Sequence, residues 1–81
     1  MKAKVITHRD RFFIGYRIAD LRRDSELTQI EFSKKYGVQR RQVIRWELGE
    51  NLPRMEILKQ MAKDFNTTVE WILYDEGDKD V

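Results

Sequence analysis

Five side chains carry most of the chemistry this sequence offers: Gln39, Arg40, Arg41, Gln42 and Arg45. A guanidinium can hold O6 and N7 of guanine with two parallel hydrogen bonds, and a carboxamide can do the same with N6 and N7 of adenine. At helical spacing Arg41 and Arg45 fall on one stripe, while Gln39, Arg40 and Gln42 fan around the leading turn. Solvated helix faces usually mix acids with bases, yet Glu47 is the only acid between Gln39 and Leu48. The pattern suits the reading of base edges in a DNA major groove.

Such a face works only if neighbouring elements hold it still. Thr28 and Glu31 form a capping-box pair that predicts a helix start, and Gly37 can adopt the positive φ that ends that helix. Phe32 and Tyr36 form its buried face, and Ser33 lies where two helices must approach closely. A further helix is predicted over 39–48, burying Val43 and Trp46, with the pair resembling two helices joined by a tight turn. Upstream, Ile14, Ile18 and Leu21 recur at spacings of four and three and predict a helix over 12–24. Gly15 inside it weakens the helix by about 1 kcal/mol relative to alanine, which implies a close approach by another element. Arg22 follows the apolar stripe and needs a carboxylate partner. Downstream, a helix over 54–65 is expected to bury Met55, Leu58, Met61, Ala62 and Phe65, with the methionines as core filling. The last helix starts at Thr67 or Thr68 and runs to Tyr74. Val69 and Ile72 are expected to face inward, leaving Trp71 exposed with Leu73 and Tyr74 as a surface for a partner.

Composition narrows the alternatives. Eighty-one residues, 41% hydrophobic and 37% charged, fit one small charge-coated globular domain. With no cysteine and one histidine, His8, the chain lacks the means for disulfides, thiol catalysis or the usual zinc sites. It also lacks a glycine-rich phosphate loop, and its acids are spread along the chain, so neither an enzyme nor a cofactor is expected. No apolar run reaches the roughly 20 residues that span a bilayer, and no signal segment is evident; the expectation is a reducing cytoplasm. The net charge of +2 hides an asymmetry: residues 1–54 hold 13 basic and 7 acidic residues, residues 55–81 hold 3 and 7. The basic part coincides with the base-reading candidates, as suits a polyanion bound from one side. Residues 1–11 are expected to form a flexible basic arm, 12–74 the domain, and 75–81 an acidic disordered tail.

The order of residues resembles the Cro/C1-type, XRE-like helix-turn-helix family of phage repressors and bacterial regulators over 14–73. The resemblance is carried by Arg22, Thr28-Gln29, Glu31, Gly37-Val38, Val43, Glu47-x-Gly49, Pro53, Leu58, Met61-Ala62, Phe65 and Ile72. It implies an all-α bundle of five short helices of the lambda-repressor-like type, with the helix-turn-helix at the second and third. It implies that Gln29 bonds a phosphate and braces the reading face, and that Asn51 and Arg54 contact phosphate. Arg40, Arg41 and Arg45 would read bases, flanked by Gln39 and Gln42. Arg22 and Glu47 would be a structural ion pair. Two departures stand out: Gln39 replaces the usual Ser or Thr cap, and Ile44 stands where polar residues are common. Ile44 is readable as an exposed apolar residue, a thymine-methyl contact being the other reading.

The function expected is that of a sequence-specific regulator on double-stranded DNA, a repressor bound as a homodimer to a palindromic operator. A bacterial or phage origin follows from the resemblance. The competing readings are an antitoxin or adaptor that binds a protein through Trp71, Leu73 and Tyr74, and a restriction-modification controller.

Overall fold

A computed structural model describes residues 6–76, all helix and connecting turns: α1 (His8–Asp24), α2 (Gln29–Lys35), α3 (Arg40–Leu48), α4 (Met55–Asp64) and α5 (Val69–Tyr74). This is the all-α five-helix bundle expected. Residues 1–5 of the expected arm and 77–81 of the expected tail lie outside the described residues.

The arm ends sooner than the apolar pattern suggested. The helix begins at His8, because Thr7 and Asp10 form a capping box: the Thr7 amide donates to Asp10 Oδ2 at 2.9 Å and the Asp10 amide to Thr7 Oγ1 at 3.2 Å. Residues 8–11 are therefore the first turn of α1 and not part of an arm. The matching box on α2 joins the Thr28 amide to Glu31 Oε1 at 2.8 Å and the Glu31 amide to Thr28 Oγ1 at 3.1 Å. Gly37, at φ 65°, ends α2 through backbone freedom alone, since a Cβ there would meet open space. Gln39, standing where a Ser or Thr cap is usual, precedes α3 with no side-chain capping bond.

Helices α1 and α3 touch backbone to backbone. A Cβ on Gly15 would lie 2.5 Å from the Trp46 carbonyl oxygen and 2.6 Å from that of Glu47. At the other end of the contact, Gly49 (φ 78°) meets the Arg11 and Phe12 backbone, 2.9 Å from where its Cβ would stand. Around this contact Ile14, Ile18, Phe32, Val43, Trp46, Leu58, Met61 and Ile72 form the buried core. Ser33 is buried as expected and turns its hydroxyl back to the Ile30 carbonyl at 2.6 Å. Phe32 stacks on Phe65 and meets Tyr36 edge-on. The Tyr36 hydroxyl donates to Asp64 Oδ2 at 2.9 Å, linking α2 to the end of α4. Burial, seconded by that bond, pushes the phenol well above its ordinary pKa.

Two expectations about facing are corrected. Met55 is half exposed and Ile57 takes the inward position, so the buried stripe of α4 is Ile57, Leu58, Met61 and Ala62. Trp71 and Leu73 are buried beside Ile72, and Tyr74 is half-buried. The reason is that α5 packs against both α1 and α4, so it has no free face wide enough for an aromatic. Arg17 of α1 seals it, donating from Nε to the Ile72 carbonyl at 2.7 Å and from Nη2 to the Leu73 carbonyl at 3.1 Å. These are among the carbonyls a helix end leaves without internal partners.

Two outcomes are expected. Gly15→Ala gains about 1 kcal/mol of helix propensity but forces two backbones apart. A net loss of roughly 1–3 kcal/mol is expected, visible as a lower midpoint in thermal unfolding; an unchanged midpoint would mean that α1 and α3 do not pack this closely. The capping boxes give a pH dependence. Bonds from the Thr7 backbone and hydroxyl hold Asp10 below its ordinary pKa of 3.8, and those from Thr28 hold Glu31 below 4.5. With folded values depressed, their stabilisation is present above those ordinary values and is lost as pH falls through the folded ones. The double variant Asp10→Asn, Glu31→Gln should therefore lose less of its melting temperature between pH 5 and pH 3 than the parent chain.

Candidate nucleic-acid interface

The predicted reading residues meet the surface as a group. Arg40, Arg41 and Arg45 are exposed on α3, Gln39 is exposed at its start and Gln42 is half-buried on one flank. Arg41 leans back toward Gln39, with Nη2 3.5 Å from Gln39 Oε1, a contact weak enough for both side chains to be redirected. The cationic face thus stands free of the core.

What orients that face is a junction of three helices on one carboxylate. Glu47, near the end of α3, receives Arg22 of α1 in a fork: Nε to Oε2 at 2.6 Å and Nη2 to Oε1 at 3.0 Å. Arg22 Nη1 also donates to the Leu27 carbonyl at 2.9 Å, fixing the turn before α2. Gln29, first residue of α2, donates Nε2 to Glu47 Oε1 at 3.2 Å. Side-chain exposures of 13% for Arg22 and 9% for Glu47 leave little room for water to substitute. The Glu47 bond holds the Arg22 guanidinium above its ordinary pKa, against the opposing pull of burial. The partner that the sequence demanded for Arg22 is in place, and Gln29 is part of the brace.

Arg22, Thr28, Gln29, Ile30 and Arg40 line a shallow hollow beside this junction. Only one of the two Gln29 Nε2 hydrogens is needed by Glu47, so the other can serve an acceptor in the hollow. Arg40, which the sequence places among the base-reading residues, thus lines the same hollow as Gln29. Asn51 and Arg54 are exposed in the segment joining α3 to α4, with Arg54 preceding α4. The Glu50 and Asn51 amides fold back onto the Arg45 carbonyl at 2.9 and 3.4 Å. Of the expected partner surface Trp71, Leu73 and Tyr74, the first two are core residues and the third is half-buried.

This surface also carries an apolar cleft that joins two helices distant in sequence. Phe12, Tyr16 and Ala19 of α1 face Ile44 and Leu48 of α3 across a cleft that Arg23, Gln29 and Glu47 also line. The available signal was the i, i+4 pair Phe12 and Tyr16, which lies off the buried Ile14 and Ile18 stripe.

A braced pair of helices joined by a glycine turn, with arginines on the exposed side of the second, defines a helix-turn-helix DNA-binding domain. The helix-turn-helix family model matches residues 18–72, and the chain belongs to that family. It is similar to the HTH-type transcriptional activator BcrR of Enterococcus faecalis, at 33% identity over 57 residues. That match takes in 70% of this chain but only 28% of the relative's length. No solved structure matches the chain with significance. Among the described residues no helix is long and apolar enough to cross a membrane.

Removing one partner of the junction should be more damaging than removing both. Glu47→Ala is expected to cost about 3–5 kcal/mol by stranding the Arg22 charge, whereas Arg22→Met with Glu47→Leu recovers part of that loss. Chemical denaturation of the two variants checks this; equal stability of the single and double variants would show that the charge is not stranded.

Proposed function

We propose that this chain is a sequence-specific regulator of transcription that lays α3 in the major groove of double-stranded DNA. The observation that carries the reading is the exposed arginine face of α3, held in place by the Glu47 junction rather than by contacts of its own. Arg41 and Arg45 lie on one stripe and read base edges, with Arg40, Gln39 and Gln42 around the leading turn. Gln29, Asn51 and Arg54 contact phosphates and set the register, and Arg40 can serve both tasks from its place beside Gln29.

A single nine-residue helix reaches only a few base pairs. Enough discrimination against a genome of competing sites therefore favours two copies on a palindromic operator, with half-sites about one DNA turn apart. Trp71 and Leu73 are buried and Tyr74 is half-buried, which favours a contact between copies elsewhere than α5 over an adaptor or antitoxin role through it. We infer repression, because occupancy of an operator overlapping a promoter excludes polymerase without any further surface. The relative is named as an activator, but the match spans too little of it to transfer that sign.

Selection of bound sequences from a random duplex pool tests the reading: a palindrome is expected, and absence of any preferred sequence would sink it. On the selected duplex, Arg41→Ala should weaken binding by about 1–3 kcal/mol and relax preference at one position. Arg54→Ala should weaken all sequences alike and reduce the salt slope by about 1. Uniform weakening by Arg41→Ala would make it a phosphate clamp. A reporter whose promoter overlaps the site should fall in expression when the chain is supplied.

A further inference from the structure

Phe12, Tyr16 and Leu48 are 59%, 61% and 60% exposed, and all three stand around the cleft between α1 and α3. The cleft has a volume of about 210 Å³ and runs beside the arginine face. Ile44 and Leu48 do not occupy a separate side of α3. Arg41, Ile44, Arg45 and Leu48 follow the spacing i, i+3, i+4, i+7, which makes them one stripe. The surface assigned to the major groove is therefore part cationic and part aliphatic, and it opens sideways onto the rings of Phe12 and Tyr16.

An exposed apolar patch of this kind marks a contact surface, and charge decides what it contacts. A second copy seated on it about a two-fold axis would bring Arg23 of the cleft toward its own equivalent, with Arg41 and Arg45 of the Ile44 and Leu48 stripe adding like charge beside it. Glu47, the acid in the cleft, is already engaged by Arg22 and Gln29 and cannot offset that repulsion. DNA reverses the balance, because its phosphates attract the same arginines. In the major groove it also presents an apolar group, the C5-methyl of thymine.

We propose that Ile44 and Leu48, backed by Phe12 and Tyr16, are specificity-determining residues that receive a thymine C5-methyl group. The cleft exceeds one methyl in volume, and deoxyribose carbons of the same strand fill the remainder against the two rings. Recognition then has an apolar component beside the hydrogen bonds of Arg41 and Arg45. The inference rests on the reading that α3 enters the major groove.

The test replaces each thymine of the selected duplex in turn by deoxyuridine, which keeps every hydrogen-bonding group and lacks only the methyl. At one position per half-site the change should weaken binding roughly 3- to 10-fold. Leu48→Ala or Ile44→Ala should bind the two duplexes more nearly alike at that position. Leu48 is exposed enough for its variant to keep the fold, which thermal unfolding verifies. Equal binding of thymine and deoxyuridine at every position would overturn the proposal, as would full methyl discrimination by both variants. Self-association of the free chain that Tyr16→Ser abolishes would also overturn it, by assigning the cleft to a second copy. Recovery of no preferred duplex at all would instead remove the DNA reading beneath it.

Discussion

The Glu47 carboxylate is the point on which this small domain turns. Its two oxygens take three hydrogen bonds, two from Arg22 and one from Gln29, so one side chain fixes three helices. An ion pair with so little solvent around it adds modest net stability over an apolar substitute, because desolvation offsets much of the attraction. What it supplies is geometry. A fork of defined direction sets how α3 rotates about its axis relative to α1 and α2, and that rotation decides whether Arg41 and Arg45 face outward.

The junction works because helix backbones come unusually close beside it. Gly15 lets α1 rest on the carbonyls of Trp46 and Glu47, and Gly49 lets the turn after α3 rest on the backbone of Arg11 and Phe12. With longer side chains at these two positions α1 would stand further off, and Arg22 would no longer reach Glu47 with both guanidinium edges. The core and the polar junction therefore depend on each other: Val43 and Trp46 hold α3 by burial, and Glu47 between them and the turn fixes its orientation.

Much of this was legible because local signals agreed with one another. The capping box at Thr28, the positive-φ turn at Gly37, the stripe Ile14, Ile18 and Leu21, and the demand of Arg22 for a carboxylate all point to one arrangement, and the helices form accordingly. The misreadings have physical causes. The apolar stripe points to a late start for α1 because it begins at Ile14, two turns after the Thr7 and Asp10 cap that sets the helix end. On α4 Met55 and Ile57 are both apolar, so the sequence alone does not choose between them and only the packing partners turn Ile57 inward. For α5, six residues give fewer than two turns, too short for periodicity to define a face when neighbours cover both sides. The cleft between α1 and α3 joins residues far apart in sequence, so the off-stripe pair Phe12 and Tyr16 marks an apolar patch on α1 but not its counterpart on α3.

These features divide the chain by the kind of change each position tolerates. The arginines of α3 are exposed and contribute nothing to the core, so exchanging them alters what surface is presented without disturbing how it is held. Arg22, Glu47, Gly15 and Gly49 are the opposite case, since each is fixed by contacts that no other residue type reproduces. Ile44 and Leu48 lie at the boundary, on the stripe of Arg41 and Arg45 yet continuous with the apolar wall of α1. A change at half-buried Ile44 alters the presented surface and the packing of α1 against α3 together, whereas one at exposed Leu48 alters chiefly the surface. The surface presented at Ile44 is thus coupled to the fold in a way that the surface presented at Arg41 and Arg45 is not.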